Sequence, residues 1–129
     1  MNWSSPKRDR EPHNDVVTQV RDIVTDADVD ESLDFLRDVA EVLGDQKGNM
    51  IRNEELRRRV RSQVANQYKR LGLEAAARIA EASDQYRRAI EDQVESAAAY
   101  EVSRAKQKFH EIRIEVWRTI QATRRAARV

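Results

Sequence analysis

The chain has 129 residues, of which 36% are Asp, Glu, Lys or Arg and 40% are hydrophobic, with three Gly, two Pro and no Cys. That length is one domain rather than two, and so few turn formers among so many charges starve strands and favour long solvated helices, so the predicted class is all-α. The missing Cys excludes disulfides, thiolate metal sites and thiol nucleophiles. No stretch approaches the ~18 apolar residues of a spanning helix, and the N-terminus lacks the apolar centre of a signal peptide, so the expectation is a soluble chain, intracellular or associated with a virion or other assembly.

The formal net charge of +1 conceals an uneven layout. Residues 1–50 hold 6 basic and 12 acidic side chains, whereas residues 51–129 hold 18 and 11. The chain is acidic in its first part and basic in its second, a layout suited to contact between complementary halves of successive copies.

Residues 1–13 carry both prolines and no apolar period, and read as a flexible arm with Trp3 as its one sticky residue. The remainder, 14–129, reads as a single all-α domain. Asn14 or Asp15 caps a short helix in which Val16, Val20 and Ile23 recur at helical spacing. Asp28 and Glu31 have the spacing of a capping box for a second short helix, with Val29, Leu33, Leu36, Ala40 and Leu43 as its expected buried seam. Gly44 and Gly48 predict its end, which closes an acidic region over 14–44.

A basic helix over 50–72 follows, with Leu56, Val60, Val64, Tyr68 and Leu71 on its apolar face. The sequence Leu71-Gly72-Leu73 has the makings of a Schellman-type stop. From 73 to 128 one long helix is expected, so the last two elements form either a hairpin or a rod. Its first part is a weak Ala-rich seam through Ala76, Ala80, Ser83, Ile90, Val94 and Ala97. A stronger stripe follows, in which Ala98, Val102, Ala105, Phe109, Ile112, Val116 and Ile120 step by four and three, as in a coiled-coil-like seam. A helix of about 55 residues is ~82 Å long, more than two short helices can cover, so the stripe is the expected interface of a homo-oligomer.

The chemistry-bearing residues are sparse. Asp26, Asp28 and Asp30 alternate as in the first half of a calcium loop, but Glu31 stands where that loop needs Gly, and Arg37 where it needs a bidentate Glu. Acidic capping of a helix start explains them better. His13 and His110 are the two histidines, and neither lies in a metal-binding spacing; His110 reads as a helix-face residue. Glu54 with Arg58, Glu55 with Arg59, and Asp84 with Arg87 or Arg88 are expected salt-bridge partners rather than acid-base pairs. No enzyme, cofactor, metal or small-molecule substrate is expected.

The basic residues with few acids nearby carry the alternative. Arg57 and Arg61, with Arg118, Arg124, Arg125 and Arg128 around Trp117, are candidates for gripping nucleic-acid phosphates, the indole offering a stacking face. A third reading docks the basic C-terminal helix on an acidic protein groove or an anionic membrane. The leading expectation is a non-enzymatic structural subunit that homo-oligomerises within a phage, viral or secretion assembly; the resemblance is one of shape, and no family motif accompanies it.

Overall fold

The computed structural model describes residues 24–128, and the expected arm, the first short helix, Trp3 and His13 lie outside the described residues. The described residues are helical almost throughout, with no strand among them, so the all-α class holds. Three α-helices run in chain order: α1 over Asp26–Gln67, α2 over Leu73–Ala82 and α3 over Asp84–Ala127, with a 3-10 turn at Lys69–Leu71 between α1 and α2.

The start of α1 is set three residues earlier than the spacing of Asp28 and Glu31 suggests. Thr25 is the cap: the Thr25 N–H donates to Asp28 Oδ2 at 2.9 Å, and the Asp28 N–H donates to Thr25 Oγ1 at 3.1 Å. This reciprocal pair is a capping box with Asp in the acidic position.

The stop expected at Gly44 and Gly48 is absent; α1 passes through both on its way to Gln67, 42 residues in all. In place of an acidic helix ending at 44 and a basic one beginning at 50, there is one element. Neither glycine takes a positive φ, and Gly72 is the one that does among the described residues. An interior Gly costs only about 1 kcal/mol relative to Ala, too little to end a helix whose other residues favour continuation.

At Gly72 the chain does break. Its φ of 94° is one that an L side chain rarely adopts, which is where glycine's freedom is needed. Its ψ of 161° is far from the left-handed helical value, and its N–H donates to Lys69 O at 3.2 Å, so the expected Schellman stop is instead a 3-10 turn followed by an extended glycine. The expected single helix over 73–128 is divided by a second break at Ser83, which adopts an extended conformation between α2 and α3. Ser83 Oγ accepts the Tyr86 N–H at 3.2 Å and donates to Ala80 O at 2.6 Å, so one hydroxyl ends one helix and begins the next.

The described residues divide into two compact bodies, one of residues 24–35 with 109–128 and one of Leu36–Lys108. In the first, Val24, Val29, Ile114 and Ile120 are buried with Ser32 and His110. In the second, Val39, Val64, Ala76, Ala80, Tyr86 and Ala89 form a core of mostly small side chains. The cross-helix contacts of the second body run in opposite senses along the sequence. Lys47 lies over the Tyr100 ring, Asn53 donates to Asp92 O, Arg57 to the Tyr86 hydroxyl, and Arg61 to Glu81.

Burial recurs on α1 and α3 at alternating steps of three and four. In the second body the buried or half-buried positions that keep these steps are Val39, Leu43, Gln46, Met50, Asn53, Arg57, Val60 and Val64 on α1, and Tyr86, Ala89, Gln93, Ser96, Tyr100, Ser103 and Gln107 on α3. In the first body Val29 and Ser32 of α1, and His110, Ile114, Trp117 and Gln121 of α3, continue the same steps. Half of these positions are polar. The seam expected on the second short helix is accordingly corrected: Leu33 and Ala40 are exposed, and Ser32 and Val39 take the buried places.

Candidate functional site

On α3 the apolar stripe lies on a different face from the packed one. Ala98 and Ala105 are exposed, as are Val102 (54%), Phe109 (58%) and Ile112 (52%), while Val116 is half-buried and Ile120 buried. Ile90 and Val94 are exposed too and extend the stripe toward the start of α3. At ~100° per residue, the stripe's centre lies roughly 140–150° around the helix from the centre of the packed positions, in either body. The helix therefore presents Val and Phe to solvent and packs Ser, Gln and His. Contiguous exposed apolar side chains of this kind mark interaction surfaces rather than ordinary solvated ones.

The packed face of the first body is held by specific polar contacts. Ser32 Oγ and His110 Nδ1 share a buried hydrogen bond of 2.8 Å, and the His110 ring stacks on Phe35 with centroids 4.2 Å apart. His110, which reads as a helix-face residue in the sequence, is thus a core residue. Arg113 forms ion pairs with Asp28 and Glu31, and Trp117 Nε1 donates to Asp26 Oδ1 at 2.9 Å. Asp28 is held below its ordinary carboxylate value, first by the Thr25 N–H and then, against some desolvation, by the Thr25 hydroxyl and Arg113. Of the acids that resemble a calcium loop, Asp28 is therefore engaged in capping and cross-helix pairing and Asp26 in a cross-helix hydrogen bond.

The phosphate-binding candidates are scattered by these contacts. Arg57 is half-buried, donates to the Tyr86 hydroxyl at 3.2 Å and has a buried Nε without a partner. Arg61 is paired with Glu81 at 3.0 Å, and Arg118 with Glu115 at 3.0 Å. Trp117 is half-buried with its N–H engaged, which leaves less of its face for stacking. Arg124, Arg125 and Arg128 stay exposed and form no ion pair among the described residues. Of the expected salt bridges, Glu54 meets Arg58 at 2.8 Å and Asp84 meets Arg87 at 2.9 Å, while Glu55 faces Arg58 at 3.7 Å instead of Arg59.

Among the described residues no group of three or more His, Asp or Glu is placed to hold a metal ion. An open depression in the second body, about 480 Å³, is lined by Val64, Tyr68, Ile79, Ser83 and Asp84, but the Ser83 hydroxyl is already committed to both helix ends. No described helix is long and apolar enough to cross a membrane. The chain matches no protein-family model, no curated protein and no solved structure.

The expected seams hold part of the packed face, with Val29, Leu43, Val60, Val64, Ala76 and Ala80 buried or half-buried, but miss its polar positions. The packed positions repeat every seven residues, but Ser32, Gln46, Asn53, Ser103, Gln107 and His110 interrupt the apolar signal there.

Proposed function

We propose that the protein is a non-enzymatic, all-α assembly subunit in which α1 and α3 pair through a coiled-coil-like, partly polar seam, and which associates with further copies through the α3 stripe. The observation that carries this reading is the solvent exposure of Val102, Phe109 and Ile112 on a helix whose own packing uses another face. Burying such side chains against a second copy removes apolar area from water at roughly 25 cal/mol per Å². Acidic residues 1–50 and basic residues 51–129 supply complementary charge for contact between copies, which sets their order more than their affinity. The test is sedimentation velocity over a range of protein concentrations at about 0.1 M and about 1 M salt. Concentration-dependent association that weakens with salt is expected. A monomer at every concentration in both buffers overturns the proposal.

Nucleic-acid binding stands as the second reading because Arg124, Arg125 and Arg128 are exposed and without ion pairs among the described residues. It requires that changing these three to Gln flatten the dependence of DNA or RNA affinity on salt by about 0.9 per lost phosphate contact on duplex DNA. An unchanged slope removes this reading.

A further inference from the structure

We infer that the turn joining α1 to α2 is a contact site for an anionic lipid surface, with Leu71 and Leu73 entering the headgroup boundary and Lys69 and Arg70 engaging anionic headgroups. Leu73 is 91% exposed and Leu71 59%, and they flank Gly72 in a segment where all of Tyr68 to Glu74 is exposed. Two leucines held in water at a turn, where a polar residue fits as well, call for an apolar partner. Lys69 and Arg70 precede them directly, and neither has an ion pair among the described residues; Glu74 is the one acid close by.

The combination selects the partner. A phosphate backbone would satisfy both cations and leave both leucines in water. An anionic bilayer offers negative headgroups and, several ångströms deeper, an apolar layer, matching cations set beside aliphatic side chains. Part of the turn's backbone is already paired, while the uncapped N–H groups at the start of α2 stay at headgroup level, where water still reaches them. The Tyr68 N–H donates to Ala65 O at 3.0 Å, the Leu71 N–H to Tyr68 O at 3.0 Å and the Gly72 N–H to Lys69 O at 3.2 Å. The contact is superficial, since no helix here spans a bilayer.

The experiment is co-sedimentation of the full chain with vesicles of phosphatidylcholine alone and of phosphatidylcholine carrying about a third phosphatidylserine. Binding to the anionic vesicles only is expected. The Lys69→Gln/Arg70→Gln variant should lower the partition coefficient roughly twentyfold, each cation near the surface being worth about a factor of five. The Leu71→Ser/Leu73→Ser variant should lower it several-fold with unchanged far-ultraviolet helicity, because neither side chain is packed. No binding to either vesicle, equal binding to both, or full binding by both turn variants overturns the inference. So does a leucine variant that alters self-association and leaves vesicle binding intact, which would assign the turn to a second copy of the chain.

Discussion

Ile112 and Ile114 lie two residues apart on α3 and belong to opposite faces of it: Ile112 is more than half exposed, while Ile114 is 8% exposed in the core of the first body. Around Ile114 the packed face also holds His110, Trp117 and Gln121, whereas around Ile112 the exposed face holds Phe109 and Val116. Hydrophobicity alone would assign these faces the other way round. A helix whose inner face is partly polar gains specificity of pairing from hydrogen bonds such as Ser32 with His110, and its outer apolar stripe is the surface proposed above to meet a second copy.

The largest effect that would break this contrast is on stability. Ile114→Ala should destabilise the chain by about 2–5 kcal/mol, the range for deleting a buried aliphatic side chain, while Ile112→Ala should stay within about 0.5 kcal/mol under dilute, monomeric conditions. Urea denaturation followed by circular dichroism measures both, and equal losses would contradict the assignment of faces. Ser32→Ala comes next, at about 1–3 kcal/mol, because it leaves the buried His110 nitrogen without its partner. Adding His110→Leu should recover much of that loss, since removing both partners of a buried hydrogen bond is far milder than removing one.

A smaller effect of opposite sign tests the continuity of α1. Gly44→Ala should raise stability by about 0.4–1 kcal/mol, as an added Cβ meets nothing within 4 Å and the backbone is helical. A destabilisation would mean that the helix breaks there after all. The smallest effect concerns Asp28. Its carboxyl is held below the ordinary value of 3.8, so its contribution is fully present above that pH and is lost as pH falls through the lower folded value. Asp28→Asn should flatten this acid limb in Trp117 fluorescence, and an unchanged limb would assign the transition to other carboxylates.

Much of the fold was legible in the sequence, for reasons that also explain the misses. Few Gly and Pro and dense charge indicated helices, and Gly72 was one of three glycines read as possible helix ends; among the described residues it is the one with a positive φ. Gly44 and Gly48 carry the same letter but sit in ordinary helical geometry, which no local pattern distinguishes. Ser83 was hidden because a serine on an Ala-rich seam resembles a small packed residue, and its capping role depends on a backbone turn. The stripe from Ala98 to Val116 was visible as a pattern, but the face it occupies is decided by its neighbours: His110 packs because α1 presents Ser32 and Phe35 to it. Trp117 read as an exposed platform until Asp26, 91 positions away, engaged its N–H.

The central claim is that the exposed stripe of α3 joins copies of this chain. The most direct test is the mass in solution, by light scattering on a size-exclusion column, of the native chain and of a Phe109→Ser/Ile112→Ser variant at matched concentration. The account predicts a multiple of the 15.0 kDa chain mass for the native protein and a shift toward a single, still helical chain for the variant. Equal masses for the two proteins would contradict it.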